Sequence, residues 1–567
     1  MLRNDLAKSL GYTIALAGMA LLLTAHGYSA TEPTSLQKIE DAFKSGRISY
    51  SEKLFDEAKA FFAPQDLPAD LKSSTPSIIK SGTALVMQIR EQWARFTPSQ
   101  QAVLSAYLNP PYKQFSYDSP DGYFTIHYDL TGSEAVPPQD GNANGVPDYV
   151  ERIGQYCDSS RACILGNLGY LPPPIDTTMG GDDKYDVYLE SIFGYGMTVP
   201  EHPGDSVWND YTSYIAISCR MDFGIYSNDD PDGDTIGAQK VTCAHEYFHA
   251  VQLAYNNNLT EYRWLMEASS TWMEEVAYPE VNDNHNYLPY FFSYPYQKLT
   301  STGTYHEYGA FVWPAYLQLK YGALVLRKTW EACRYNTAAA ALDSALAGYG
   351  TDVAHTFPEF TIWNYYTGSR AGFEMYYPEA ADYPQPAVDQ AFATLEHESV
   401  HPVTGPDGLG CNYVEFLVDS TARGILDIIL DGSDLVRWGM ASVASGTAGD
   451  TVKTVVSALN ENLHIFQPFI EDYDLVVVVP AVVSPYVTGN VYALSCHVLP
   501  HGDANYDRVA NLADAVYLVA YVFRGGPAPR PMLSSGDANC DGSVNLADAV
   551  GIINYVFNGG AEPCAER

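Results

Sequence analysis

The sequence predicts a multidomain protein with an α+β domain, an all-β sandwich and a small all-α module. Residues 116–395 mix strand-like runs with long helical stretches, which is typical of an α+β domain. Residues 411–498 consist of short alternating or β-branched runs at the spacing of a β-sandwich. Residues 502–526 recur as residues 536–560 with 16 of 25 positions identical, which indicates two copies of one loop–helix unit.

The chain is strongly acidic. Its 567 residues include 31 Lys and Arg against 68 Asp and Glu, a formal net charge of −37. A polyanion of this size repels phosphate backbones and anionic lipid, so we expect no nucleic-acid partner. Solubility explains most of the acidic excess, and binding of hard cations explains a smaller part.

The first thirty residues have the organisation of a secretory signal peptide. Arg3 and Lys8 form a basic head, an apolar run extends from Tyr12 to about Thr24, and small residues follow. This apolar run is shorter than the ~20 residues that a membrane span needs, and no other stretch is long enough. We therefore expect a secreted or cell-surface associated protein with no membrane span in the mature chain.

Four regions follow the signal peptide. Residues 31–115 form a helical N-terminal segment, which is either a removable propeptide or a permanent subdomain. The predicted α+β domain covers 116–395, the sandwich 396–500 and the repeats 501–567.

Export allows disulfides among the nine cysteines. Cys540 with Cys564 is the pairing that sequence position favours most. Cys411 with Cys496, which bracket the strand-rich region, is a second plausible bridge.

A metal-binding motif lies in the α+β region. His245 and His249 belong to an HExxH sequence inside a stretch of helix composition. Positions i and i+4 share one face of a helix, so both imidazoles can reach one zinc ion. Glu246 is a candidate general base beside them. Glu267, on the next helix-like segment, would complete a set of three protein ligands and leave one position open.

This motif and the segment WLMEASSTW resemble the gluzincin metallopeptidases, whose third zinc ligand is a Glu on the next helix. NGVPDYVE, HEYFHAVQ and W-x-M-E-A also occur together in a group of uncharacterised secreted bacterial metallopeptidases, a resemblance covering about 120–375. Ala268 replaces the Gly that is usual in the aminopeptidase branch, and no exopeptidase amine-binding motif is recognisable. The resemblance implies a zinc endopeptidase in which Glu246 takes a proton from zinc-activated water and delivers it to the leaving amine.

The resemblance implies one further role near the motif, and the position of two more glutamates on the same predicted helix suggests another. A Tyr or His on a later helix would stabilise the oxyanion, and Tyr308 and His306 are the candidates, with Tyr308 preferred because it opens a helical run. Glu274 and Glu275 compete with Glu267 as third ligand, or hold the imidazoles in place.

Residues 140–151 match every fixed position of the calcium loop D-x-[DN]-x-[DN]-G-x5-E. Side-chain oxygens and one carbonyl would bind the ion. The residues are Asp140, Asn142, Asn144, Val146 (carbonyl), Asp148 and Glu151. Gly145 permits the sharp turn. We expect a structural calcium site; a polar turn capped by the following helix is the alternative.

The tail repeats resemble dockerin type I modules, in which two calcium loop–helix units pack together. The resemblance implies calcium ligands in each copy. In the first copy they are Asp503, Asn505, Asp507, Asn511 and Asp514. In the second copy they are Asp537, Asn539, Asp541, Ser543 (carbonyl), Asn545 and Asp548. Arg508 replaces the Gly of the second copy, which predicts a weaker first site. Dockerins bind cohesin domains, so a cohesin-like partner is implied.

Three functions stay open at this level. The favoured one is a secreted zinc endopeptidase that acts on peptides or proteins, is stabilised by calcium and is anchored through its tail. The second is a non-catalytic, calcium-dependent surface or scaffold-associated protein. The third is a zinc hydrolase of another substrate class, for instance one that acts on peptidoglycan peptides.

Overall fold

The computed structural model describes residues 32–74, 78–175, 182–224, 227–372, 376–447 and 449–565. The predicted signal peptide lies outside these residues. The chain divides into two compact units. One comprises Met1–Asn109 with Ser191–Tyr195, and the other comprises Pro110–Glu190 with Gly196–Arg567.

The first unit is mainly helical, as the pattern of residues 31–115 predicts. Its helices are α1 (Ser35–Lys44), α2 (Tyr50–Phe62), α3 (Thr83–Glu91) and α4 (Pro98–Leu108), with 3₁₀ turns at Pro64–Asp66 and Trp93–Arg95. Thr34, Ser49 and Thr97 begin three of these helices with capping boxes. A short strand, β1 (Ile79–Ser81), hydrogen-bonds to the 191–195 segment of the same unit.

The α+β region of the second unit is built on a mixed sheet. Its strands are β2 (Phe115–Asp118), β3 (Phe124–Tyr128), β4 (Tyr185–Glu190), β5 (Gly194–Pro203) and β6 (Tyr211–Ser218). The order is β5-β6-β4-β3-β2, and β1 joins at the start of β5 within the first unit. β3, β4 and β6 are parallel, and β2 and β5 run antiparallel to their neighbours.

The helices of this region are α5 (Asp148–Arg161), α6 (Asp234–Leu253), α7 (Leu259–Ala277), α8 (Leu288–Phe292), α9 (His306–Gly309), α10 (Val312–Tyr321), α11 (Leu324–Cys333), α12 (Ala338–Ala347) and α13 (Val353–Tyr365). Helices α5 and α6 pack on the sheet. A π-helical turn at Ala162–Asn167 extends α5, and 3₁₀ turns lie at Asp283–Tyr287 and Gly368–Arg370. α6 packs against β6, α5 and α7, so it is buried all round from Val241 to Leu253.

Two sheets with a common core follow. Their strands are β7 (Gln390–Phe392), β8 (His397–Val400), β9 (Val414–Leu417), β10 (Ile425–Gly432), β11 (Trp438–Ser445), β12 (Thr451–Val456), β13 (Leu463–Gln467), β14 (Leu475–Val482) and β15 (Tyr492–Leu499), with a 3₁₀ turn at Ile470–Asp472. One sheet has the order β13-β10-β15-β8, and the other β12-β11-β14-β9-β7. Ile428, Trp438, Val478 and Leu494 lie in the shared core. The first strand begins before the predicted boundary at 396, because β7 pairs with β9.

The tail contains α14 (Leu512–Arg524) and α15 (Leu546–Asn558), with a 3₁₀ turn at Leu533–Gly536. Its small core is built from equivalent positions of the two repeats. These are Ala504 and Ala538, Ala515 and Ala549, and Leu518 and Ile552. The repeat in sequence is therefore also a repeat in packing.

Of the two expected disulfides, one forms. Cys540 and Cys564 are bonded. Cys411 and Cys496 are separate buried thiols, so that predicted bridge is wrong. Cys411 bridges to β14 in the five-stranded sheet, whereas Cys496 lies on β15 in the other sheet.

The prediction of a multidomain α+β chain with several sheets is confirmed. Within the described ranges, no helix combines the length and apolar character that crossing a bilayer requires.

Candidate metal centre

Two helices bring together the three residues that sequence predicts as zinc ligands. His245 and His249 lie one turn apart on α6, and Glu267 lies on α7. Glu267 Oε2 is 3.3 Å from His245 Nε2 and 3.4 Å from His249 Nε2. All three side chains are at most 1% exposed. None of these three atoms has a hydrogen-bond partner among the described residues, so the convergent lone pairs fit a bound cation.

A buried amide orients His249. Its Nδ1 lies 2.8 Å from Gln252 Oε1. Gln252 Nε2 donates to the carbonyl oxygen of Met266 and to the hydroxyl of Ser270, both at 3.0 Å. Because the amide nitrogen is committed to these acceptors, the amide oxygen faces His249 and Nδ1 carries the proton. His249 Nε2 therefore presents a lone pair to the metal position.

A carboxylate orients His245. Its Nδ1 lies 2.7 Å from Glu274 Oε1, and both side chains are buried. Glu275, the competing candidate, points elsewhere and accepts a hydrogen bond from Asn284 Nδ2 at 3.1 Å. Of the three candidate glutamates on this helix, Glu267 lies against both imidazoles and Glu274 lies behind that of His245.

Electrostatic interactions within the cluster shift the pKa values of His245 and Glu267. Burial alone lowers the pKa of His245, but its contacts with Glu267 and Glu274 raise that pKa to about 9. Burial raises the pKa of Glu267, but the interactions with the two histidines have the larger effect and lower this pKa to about 2. A metal ion would displace the additional proton that His245 holds, because only neutral imidazole binds metal.

The structure separates the two candidates for oxyanion stabilisation. The ring of Tyr308 lies 6.1 Å from that of His245, and it is buried. Burial first, and then the charge of Glu267, raise the pKa of Tyr308 well above its ordinary value, so the hydroxyl remains a donor. The Nδ1 of His306 lies 3.4 Å from the carbonyl oxygen of Tyr290, and burial lowers the pKa of His306 to about 4.

A buried ion pair that sequence analysis did not identify supports the segment of Tyr308. Arg263 Nη2 lies 3.0 Å from Glu307 Oε1, which also accepts a hydrogen bond from Gly303 N at 2.7 Å. Arg263 is one turn before Glu267 on α7, so the pair joins that helix to α9. Its only sequence signal is the spacing of Arg263 from Glu267, which is not specific.

The predicted loop at 140–151 is closed around its first residue. The carboxylate of Asp140 accepts hydrogen bonds from Gly145 N at 2.9 Å and Asn144 N at 3.2 Å. The side-chain amides of Asn142 and Asn144 donate to Glu151 at 3.0 and 2.7 Å. Calcium requires oxygen ligands, and the amide oxygens of Asn142 and Asn144 accept hydrogen bonds from Asn144 N at 3.0 Å and Val146 N at 2.8 Å.

The remaining predicted ligands lie at the end of this loop. Asp148 begins α5, and its Oδ1 accepts a hydrogen bond from Gly141 N at 2.8 Å. Val146 N donates to Asn144 Oδ1 at 2.8 Å. The loop thus leads directly into a helix, as the pattern predicts.

The two tail loops fold alike despite the replacement of Gly by Arg. Asp503 Oδ2 accepts from Arg508 N at 2.9 Å, and Asp537 Oδ2 accepts from Gly542 N at 2.9 Å. Arg508 adopts φ +70° and Gly542 φ +86°. Arg508 therefore takes the left-handed conformation that favours glycine, at a cost of about 1 kcal/mol.

Acidic side chains converge in the first tail loop. Oxygens of Asp503, Asp507 and Asp514 all lie within 4.8 Å of one another. Burial first, and neighbouring carboxylates in addition, raise the pKa values of Asp503 and Asp514. Asp514 also accepts from the backbone of Asn505 at 3.0 Å, and Asn511 caps α14. The first copy, whose calcium site is predicted to be the weaker one, therefore has the tighter group of carboxylates.

The second loop keeps the same pattern. Asp548 accepts hydrogen bonds from Asn539 N at 3.2 Å and Asn545 N at 2.8 Å. Asn539 Nδ2 and Ser543 N donate to the two oxygens of Asp541 at 3.0 and 2.9 Å. The predicted ligand residues of this copy thus lie on one short loop and, in the case of Asp548, in the first turn of α15.

Neither a protein-family model nor a curated protein sequence matches this chain. The chemistry of the protein is therefore inferred from the site itself, a buried His–His–Glu group with the carboxylate of Glu246 next to it in sequence.

Replacing Glu274 by Ala is expected to lower zinc affinity by about 10- to 100-fold, because His245 Nδ1 loses its partner. Glu275→Ala is the matched control and should bind zinc as the parent protein does, since Glu275 contacts Asn284. Zinc titration against a competing chelator measures both. Equal losses in the two variants would contradict this assignment.

Replacing Arg508 by Gly is expected to raise calcium affinity at the first tail loop, because both the strain and a positive charge are removed. Arg508→Ala removes the charge alone and should give a smaller gain. The strain contributes about 1 kcal/mol, or roughly fivefold in affinity if calcium binding imposes this conformation. Calorimetric calcium titration of the full chain compares the variants, and equal affinities for Gly and Ala would exclude the strain contribution.

Proposed function

We propose that this protein is a secreted zinc-dependent endopeptidase. The observation that carries the proposal is the convergence of His245 Nε2, His249 Nε2 and Glu267 Oε2 in a buried site. Two imidazoles and one carboxylate are a typical donor set for catalytic zinc, and they leave a position for substrate. The combination of this motif with a signal-peptide-like N-terminal segment supports an exported enzyme.

Zinc, when bound, supplies Lewis-acid chemistry that makes water nucleophilic near neutral pH and polarises a carbonyl. The residues of the chain have separate roles around it. The carboxylate of Glu246, next to His245, would accept a proton from the attacking water and deliver it to the leaving amine. Tyr308, whose hydroxyl keeps its proton, would donate a hydrogen bond to the developing oxyanion.

One observation favours the non-catalytic alternative. The three metal-binding side chains are at most 1% exposed, and Glu246 is fully buried. A peptide reaches Glu246 only if the groups that cover it move. The non-catalytic alternative predicts no zinc and no cleavage, with stability that still depends on calcium.

Replacing Glu246 by Gln is expected to abolish peptide cleavage, by at least about 100-fold in kcat, because the variant cannot accept the proton. Zinc content should be unchanged, since the three ligands remain. Metal analysis and cleavage of a peptide library that includes peptidoglycan peptides test both statements.

Zinc retention with loss of cleavage supports the proposal, and the cleaved peptides distinguish proteins from peptidoglycan as substrates. Cleavage that is unaffected by the substitution contradicts the role of Glu246. A native protein that holds no zinc and cleaves nothing would favour the non-catalytic function.

We further propose that the calcium-loaded tail recruits the enzyme to a cohesin-like partner. Equivalent apolar residues of the two helices are exposed. They are Leu512 and Leu546, Val516 and Val550, Val522 and Val556, and Phe523 and Phe557. Exposed apolar residues at matching positions of both repeats support a protein-binding surface. Calcium would bind to the loops that lead into the two helices.

The double substitution Phe523→Ala and Phe557→Ala is expected to weaken binding to cohesin domains by at least about tenfold, because both rings are more than 60% exposed, at 63% and 64%. Leu435→Ala, at an exposed apolar residue outside the tail, is the control. Surface-immobilised cohesin domains, with calcium or with chelator, provide the measurement. Binding that survives both the double substitution and chelation would exclude this surface.

A further inference from the structure

Strand β5 reaches the candidate general base directly. Thr198 Oγ1 lies 2.9 Å from Glu246 Oε2 and 2.8 Å from the main-chain carbonyl oxygen of the same residue. Both residues are fully buried. A side chain on the sheet is thus hydrogen-bonded to the carboxylate that follows His245 on α6.

The inventory of hydrogens at this contact explains why a hydroxyl suits the position. A threonine hydroxyl has one hydrogen to donate and lone pairs that accept. It can donate to the ionised carboxylate of Glu246. The main-chain carbonyl oxygen of Glu246 is a second acceptor within reach of the same hydroxyl, so one threonine side chain contacts both the backbone and the carboxylate of this residue.

A second residue of β5 provides space for the same side chain. A Cβ atom at Gly196 would lie 2.8 Å from Glu246 Cγ and 2.9 Å from Thr242 Cγ2, distances that real Cβ atoms do not show. The backbone of Gly196 does not have a positive φ, so the need for glycine is one of space alone. β5 therefore confines the Glu246 side chain sterically at Gly196 and by hydrogen bonding at Thr198.

We propose that Thr198 is a positioning residue that holds the carboxylate of Glu246 in its working orientation beside the metal ligands. The inference rests on the proposed function as far as turnover is concerned. The contact itself is a property of the folded chain and can be tested without turnover. Misplacement of a catalytic group by about 1 Å costs about 100-fold in rate, which is the scale of the effect expected here.

The decisive variants are Thr198→Val and Thr198→Ser. Valine has nearly the same shape and lacks the hydroxyl, so kcat should fall by about 10- to 100-fold with KM and zinc content unchanged. Serine keeps the hydroxyl and should restore kcat to within about threefold. Gly196→Ala should also lower kcat, because its new methyl group displaces Glu246.

Thr212→Val is the matched control. Thr212 is a buried threonine of the neighbouring strand β6, and its hydroxyl contacts the backbone of His202 instead of Glu246. This variant should keep kcat. Equal kcat losses in Thr198→Val and Thr212→Val, or equal losses in Thr198→Val and Thr198→Ser, would overturn the proposal.

A double-mutant cycle on metal-free protein tests the contact independently of activity. The Tm shift of the double variant of Thr198→Val and Glu246→Ala should differ from the sum of the two single shifts by at least about 1 °C. For Thr212→Val and Glu246→Ala, the shift of the double variant should equal the sum. Additive shifts in both cycles would overturn the inference even if the enzyme cleaves peptides. Coupling in the first cycle, together with a protein that cleaves nothing, would sustain the contact and reject the proposed function.

Discussion

The meeting of Glu267 with His245 and His249 is the interaction on which the rest of the site depends. Placing three polar groups at or below 1% exposure is costly unless each of them has a charged or hydrogen-bonding partner. Glu274 and Gln252 supply partners on the outer side of the two imidazoles, at 2.7 and 2.8 Å. On the inner side the two Nε2 atoms and Glu267 Oε2 face one another, and the proposed cation would lie there.

Backbone hydrogen bonds also satisfy the first carboxylate of each acidic loop. In each loop the first aspartate, which is Asp140, Asp503 or Asp537, accepts backbone N–H groups from the residues four and five positions later. These hydrogen bonds define the turn of each loop. Arg508 shows how strongly these hydrogen bonds determine the backbone, because it adopts a left-handed conformation that arginine does not favour.

The tail also contacts the sandwich. The hydroxyl of Tyr506 donates to Asp427 on β10, and His501 Nε2 lies 2.8 Å from Glu471. Tyr506 belongs to the first tail loop, so this loop and the sandwich share a hydrogen bond. Glu471 has its pKa lowered to about 2, because the partnership with His501 outweighs its burial. These contacts join the tail to the sandwich while the apolar residues of its two helices stay exposed.

Local patterns in the sequence determined the parts of this protein whose residues are close in the chain. The i, i+4 spacing of His245 and His249 and the repeat of the tail loops follow from helix geometry and from contiguous ligands. Tertiary packing alone decided the rest. Thr198 and Gln252 act through contacts that no local spacing encodes, and Cys411 and Cys496 are kept apart by lying in different sheets. The physical reason for this difference is that the packing of helices and sheets determines which side chains meet across a core.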